Sequence, residues 1–112
     1  MEFSIEFNMK FDLSRVEFTK LDIRRKIKIP SYLDENLAHY LGIHIGDGHL
    51  YKKPGDYRMF YDGHYINEYS WYNDYLSKLI LNLFNRKVNA RKGHNTIQIA
   101  FSSKAIHSFI LK

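Results

Sequence analysis

The chain has 112 residues, 45% of them apolar, which is enough for one hydrophobic core and too little for two. It contains no cysteine, which excludes disulfide scaffolds, thiolate zinc sites and cysteine nucleophiles, and no apolar run nears the roughly 20 residues of a membrane span. Seventeen basic residues against twelve acidic ones leave a net charge of +5, and with nine tyrosines this balance suits a polyanionic partner such as nucleic acid.

Odd positions from Phe3 to Leu13 are apolar and the even ones polar, so period two predicts a half-buried strand over Glu2 to Leu13. Alternation over Arg24 to Ile29 predicts a second extended piece, with Ile27 and Ile29 on one face and Lys26 and Lys28 on the other. The cluster Arg24-Arg25-Lys26 can touch phosphates or form a solvated strand face. This start shows no signal peptide, and an intracellular, cytoplasmic protein with no membrane partner is expected.

After Pro30, Asp34 is placed to cap a helix. That helix carries two adjacent stripes, Leu37, Leu41, Ile45 and Ala38, Gly42, Gly46, and Gly48 is placed to end it in a left-handed conformation. Then "HLYKK" and "YRMFYDGHYI" around "PGD" read as a hairpin. From Asn67 to about Asn85 the residues Trp71, Tyr75, Leu76, Leu79, Ile80, Leu83 and Phe84 recur at helical spacing, which makes the aromatics core or interface residues rather than a base-stacking platform. A second hairpin, "VNARK" and "TIQIAFS" around "GHN", points Ile97, Ile99 and Phe101 to one side; Ser103 then caps a last helix with Ala105, Ile106, Phe109 and Ile110. From residue 34 the order is helix, hairpin, helix, hairpin, helix. The expected fold class is α+β, with helices on one face of a four-stranded antiparallel sheet and the polar parity of its strands exposed.

Two interior glycines each cost a helix about 1 kcal/mol relative to alanine. A stripe without bulk lets a second helix approach closer than the usual 8 to 10 Å or so between axes. The stretch "YLGIHIGDG", residues 40 to 48, resembles the signature of the LAGLIDADG homing endonucleases, and the αββαββα order agrees with that family. Gly42, Gly46, the terminal acid Asp47 and the closing Gly48 are kept; Tyr40, Leu41 and Ile45 depart from the motif. "IPSYLDENLAHYLG", "GHYINEYSWYNDYLSKLILNLF" and "SSKAIHSFI" look like archaeal-type or intein-type members of the family. The resemblance divides the chain into an N-terminal β extension, 1–30, and an endonuclease domain, 31–112, whose end at Lys112 leaves C-terminal truncation open.

The resemblance implies a site-specific endonuclease that hydrolyses double-stranded DNA with Mg²⁺ or another hard divalent cation. Asp47 is the implied metal ligand, with Gly48 beside it. One motif gives one carboxylate, so either a homodimer or a second LAGLIDADG repeat supplies the other. Ala38, Leu41, Gly42, Ile45 and Gly46 are then the interface. Lys104 and His64 are the implied catalytic assistants, although Lys104 can equally be an ordinary exposed lysine. Counting parity from the motif places DNA contacts at His49, Tyr51, Lys53, Arg58, Asp62, Asn89, Arg91, Thr96 and Gln98, side-chain types of which several pair with base edges. A zinc cluster of His44, Asp47 and His49 is disfavoured because no further Cys or His pair completes it. The alternative function is a catalytically inactive DNA-binding regulator or splicing cofactor of the same fold; an intron or intein association is left open.

Overall fold

Thr19 and Asp22 close a reciprocal cap: the Asp22 N–H donates to Thr19 Oγ1 and the Thr19 N–H to Asp22 Oδ2, both at 3.1 Å. The pair opens a short helix, α1 (Lys20–Arg24), whose last residue is the first of the extended segment expected over 24–29. The T-x-x-D spacing of a capping box is the local signal for it. Arg25 ends the helix, Lys26 turns left-handed at φ 59°, and residues 27–29 join no strand among the described residues. The computed structural model describes residues 10–51, 56–93 and 96–111, without the side chains of 64–67. The strand expected over Glu2 to Leu13 thus lies mostly outside the described residues. Its described end makes a single antiparallel bridge, Lys10 with Tyr32, and no strand.

Asp34 caps α2 (Glu35–Asp47) as its sequence predicts, accepting the Leu37 N–H at 2.8 Å. Gly48 does not take the expected left-handed cap. Its backbone is extended (φ −99°, ψ 160°), and the chain passes directly from α2 into β1 (Gly48–Leu50). Glycine is required there for space: a Cβ would lie 2.6 Å from both His44 Nδ1 and Tyr61 Cε1.

β2 (Arg58–His64) pairs antiparallel with β1 and leads without a loop into α3 (Tyr65–Ser70), so the helix begins before the expected Asn67 cap. A π-helical stretch (Trp71–Leu76) and α4 (Ser77–Phe84) continue it. Ser77 Oγ donates to the Asn73 carbonyl inside that stretch, diverting a backbone acceptor where the helix widens. Tyr72, Leu76, Leu79, Ile80, Leu83 and Phe84 line the buried side, while Trp71 and Tyr75 stay partly exposed. Asn85 ends α4 in the left-handed conformation that asparagine tolerates.

β3 (Arg91–Gly93) and β4 (Thr96–Ser102) form the second hairpin, and α5 (Lys104–Leu111) closes the chain. The sheet order is β1-β2-β4-β3, all antiparallel, so the long strands β2 and β4 meet at its centre. Met59, Tyr61, Ile97, Ile99 and Phe101 face the helices and are buried with Leu37, Tyr40, Leu76, Ile80 and Ile106 in one core. The α+β class with helices and a four-stranded antiparallel sheet is as the sequence predicts. Every strand of the sheet, among the described residues, comes from residue 48 onward.

α5 is anchored by Asp22, which is buried. Its Oδ1 accepts Ser103 Oγ at 2.7 Å and its Oδ2 the Ala105 N–H at 3.0 Å, while Ser103 Oγ accepts the Ile106 N–H at 3.2 Å. A negative side chain at a helix N-terminus complements both the free amides and the dipole. No helix among the described residues is long and apolar enough to cross a membrane.

Candidate nucleic-acid interface

Residues paired across a ladder share a face, and the register settles which side chains face away from the helices. His49 lies opposite Phe60, Phe60 opposite Ala100, Asp62 opposite Gln98, Arg58 opposite Ser102, and Arg91 opposite Gln98. The sheet face bearing His49, Arg58, Asp62, Arg91, Thr96 and Gln98 is therefore the open one, in agreement with the parity count. Phe60 belongs there too and was missed, because a phenylalanine in a strand reads as core. Tyr51 continues β1, its N–H donating to the Arg58 carbonyl at 3.0 Å. Asn89 is exposed in the connection before β3 rather than on a strand, and Lys53 lies outside the described residues.

Several open-face side chains are already held. His49 stacks on Phe60 with ring centres 5.0 Å apart. Arg58 donates both arms to Asp56, at 2.8 and 2.7 Å, and lies 4.8 Å from the Tyr51 ring centre. The bond to Asp56 raises the proton affinity of Arg58, keeping it cationic. Gln98 Nε2 donates to Asp62 Oδ1 at 2.7 Å. The result is a stiff polar surface rather than a fringe of free rotors, and stiffness lowers the ordering cost of binding.

The glycine flank of α2 is open. Among the described residues nothing lies within 4 Å of where a Cβ would sit on Gly42 or Gly46, and Ile45 is 84% exposed. Ala38 and Leu41 are half-buried, and Leu41 packs against its own core. Asp47, the last residue of α2, is exposed where this flank meets the sheet.

Below that corner sits Tyr72, which the sequence analysis did not single out for function. Its hydroxyl is buried with no hydrogen-bond partner among the described residues. Burial pushes its phenol well above the usual tyrosine range, and the negative charges of Asp47, Glu68 and Asp62 push it further. A Cβ on Gly63 would lie 2.6 Å from both Tyr72 Cε1 and Glu68 Oε1, so ring and carboxylate crowd the same backbone. Three carboxylates thus share one neighbourhood, although no three His, Asp or Glu side chains among the described residues converge as a metal site. The zinc cluster is not assembled: His44 Nδ1 is 2.9 Å from the Tyr61 hydroxyl while His49 stacks on Phe60.

Lys104 is the first residue of α5, with its ammonium 2.7 Å from Glu17 and 5.3 Å from the Tyr57 ring centre. The bond to Glu17 raises its proton affinity. It follows Ser102, which pairs with Arg58, whereas Asp47 precedes Gly48, which pairs with Tyr61. At about 3.3 Å per strand residue these two pairing points on β2 are roughly 10 Å apart along the strand. His64 pairs through its backbone with Thr96, at the Asp47 end.

This architecture is similar to that of I-DmoI in complex with DNA and Mn, at 25% identity with a TM-score of 0.54, over 66% of this chain and 46% of that one. The fold is a homing-endonuclease fold. An I-DmoI variant with its target DNA nicked in one strand matches at 25% identity and TM-score 0.50, over 68% of this chain and 47% of that chain. A structure of mesophilic variants of the homing endonuclease I-DmoI matches at 26% identity and TM-score 0.50, over 66% of this chain and 43% of that one. This chain therefore spans a little under half the length of the homing-endonuclease chains it resembles. No protein-family model and no curated protein matches its sequence.

Proposed function

We propose that this chain is a LAGLIDADG-type homing endonuclease domain that binds double-stranded DNA on its open sheet face and hydrolyses phosphodiester bonds with a divalent cation, Mg²⁺ by preference. The observation that carries this reading is the corner at Asp47: an exposed carboxylate at the end of a helix whose glycine flank meets nothing among the described residues, beside a polar sheet face. Residues 31–112 carry the nuclease motif and sheet, and residues 1–30 extend that unit, with Asp22 and Ile27 buried against it. The protein acts inside the cell, where its substrate is.

The donor set suits a hard cation in part. Asp47 offers carboxylate oxygen, and Gly48 a backbone oxygen next to it, but a single such group is half a site. A second copy of this chain, or a second repeat of the motif, packed on Ala38, Gly42, Ile45 and Gly46, completes the pair and relieves the repulsion of two nearby carboxylates by sharing the ion. When bound, the cation activates water and stabilises the leaving oxygen of the phosphodiester. This chain's own part is to place Asp47: Tyr61 holds His44, one turn earlier, and so ties the end of α2 to the sheet. Arg58, Gln98, Arg91 and Thr96 position the duplex, and His64 stands at the Asp47 end of β2 to order water.

One observation favours a second reading. Lys104 is paired with Glu17 at the far end of β2 from Asp47, an arrangement suited to a DNA-binding regulator or splicing cofactor that does not cut. Asp47→Asn separates the two. Under the nuclease reading, divalent-ion-dependent cleavage falls at least about 100-fold while duplex affinity is kept or rises. A wild-type protein that binds duplex but never nicks it, with any divalent ion, establishes the second reading.

A further inference from the structure

Arg24, Arg25, Lys26 and Lys28 form a run of exposed cations at the end of α1, away from the Asp47 corner. The structure ties this run to one place. Arg25 Nη1 donates to the Ser102 carbonyl at 3.5 Å, at the end of β4. Arg86 holds its guanidinium 5.6 Å from the ring centre of Phe101, the preceding residue of that strand. The backbones that carry the two arginines are cross-linked: the Lys28 N–H donates to the Phe84 carbonyl at 3.0 Å, and Asn85 Nδ2 to the Lys26 carbonyl at 2.9 Å. Two guanidiniums from separate elements are therefore held together on a fixed frame.

No ion pair among the described residues answers their charges. The ion pairs among the described residues are Arg58 with Asp56 and Lys104 with Glu17, and neither involves Arg25 or Arg86. Asp22 is the nearby carboxylate, and it is occupied by Ser103 Oγ and by the N–H groups of Ala105 and Thr19. Burial lowers the proton affinity of Arg86 and the positive charge of Arg25 lowers it further, while Asp22 only offsets this. Arg86 Nη1 donates to the Lys87 carbonyl at 3.0 Å, and its Nε is buried with no acceptor among the described residues. A tetrahedral oxyanion supplies acceptors for the outer N–H groups of two planar forks, and its charge answers theirs.

We propose that Arg25 and Arg86 form a phosphate-binding pair that grips a backbone phosphodiester of duplex DNA where the duplex passes the rim of the sheet at the end of β4. This rests on the DNA-binding reading above and adds to it a contact that residues 1–30 supply in part. Ser102, whose carbonyl Arg25 holds, is the last of the open-face series Thr96, Gln98, Ala100, while Arg86 lies over Phe101 on the helix side, so the pair sits at the edge of that surface rather than on it. A contact of this kind adds affinity and orientation without sequence preference.

The test uses the full chain and a duplex of arbitrary sequence, titrated over a series of KCl concentrations. Arg25→Gln alters an exposed side chain, and Arg86→Lys keeps the charge of the half-buried one while removing its fork; unfolding curves confirm that both fold. The expected result is a several-fold loss of duplex affinity for each, with R25Q lowering the slope of log affinity against log salt by about 0.9. Wild-type duplex binding with an unchanged slope and affinity in R25Q overturns the pair and leaves the DNA-binding reading standing. If the wild type has no duplex affinity, that reading fails; inorganic phosphate that then shifts the NMR signals of both arginine side chains makes this a free-phosphate site and overturns the duplex assignment.

Discussion

The Tyr61 hydroxyl lies 2.9 Å from His44 Nδ1, and the Tyr40 hydroxyl is hydrogen-bonded to the same Tyr61 oxygen. Tyr61 projects from β2 and His44 from the last turns of α2, so the bond fastens the Asp47 end of the helix to the sheet. With a neutral imidazole, Nδ1 accepts from Tyr61, and Tyr61 accepts from Tyr40, leaving every partner satisfied. Burial pushes both phenols far above the usual tyrosine range, so the chain stays protonated at any ordinary pH.

Acid should loosen this fastening. Burial holds His44 below the usual histidine range, and the positive charges of His49 and His107 lower it further. A folded-state pKa below the unfolded value of about 6.5 means that the unfolded chain takes up the proton first. The stability from this site is thus complete above about pH 6.5 and falls as pH drops toward the folded value. Urea midpoints measured from pH 7.5 down to about pH 5 should decline, and His44→Gln should remove that part of the decline. An imidazole signal for His44 titrating at or above the free-histidine value contradicts the assignment.

Alanine at the three motif glycines should give opposite results. At Gly48 the new Cβ meets His44 and Tyr61 at 2.6 Å, and the collision should cost about 1–3 kcal/mol of unfolding free energy. At Gly42 and Gly46 nothing among the described residues stands within 4 Å, so each alanine should stabilise the separate chain by up to about 1 kcal/mol. Sedimentation of the same variants tests the proposed interface, since G42A and G46A should weaken self-association if this flank packs against a second copy.

Asp22→Ala should cost about 3 kcal/mol, because Ser103 Oγ, the Ala105 N–H and the Thr19 N–H all lose their acceptor. Asp22→Asn keeps one oxygen and should recover part of the loss. Denaturant midpoints for the two variants give the comparison; equal values would mean that the geometry of the carboxylate matters less than its volume.

Tyr72→Phe removes a buried hydroxyl that has no partner among the described residues, so it should be neutral or stabilising by about 1 kcal/mol in thermal unfolding. If instead the variant is destabilised by that amount or more, a water or an ion held between Tyr72 and the carboxylates of Asp47, Asp62 and Glu68 satisfies the hydroxyl.

From residue 34 onward the fold was legible because each element carries two independent signals. α2 has the Asp34 cap and its apolar stripe; β4 has strict alternation through Ile97, Ile99 and Phe101, bounded by Gly93 and Ser103. At residues 24–26 alternation misled, because the helix opened by the Thr19–Asp22 box runs to Arg24 and the chain then turns at Lys26. At the candidate site, parity correctly sorted the strand residues by face, since period two survives any register between strands. Phe60, Tyr72 and the Arg25–Arg86 pair were not legible. Phe60 and Tyr72 look like ordinary core aromatics, and the two arginines, far apart in sequence, meet only through the tertiary crossing of residues 26–28 with the end of α4.

The two long strands at the centre of the sheet come from different hairpins, with the whole α3 to α4 segment between them. Closing a chain over that separation precedes any gain from pairing them, so the central ladder forms late and all at once. A nascent chain that has made β2 but not β4 carries Arg58, Phe60 and Asp62 on a strand with no inner neighbour. The open polar face is thus a product of cooperative folding, and under the proposed function the DNA-binding fraction of a preparation should read out its folded fraction.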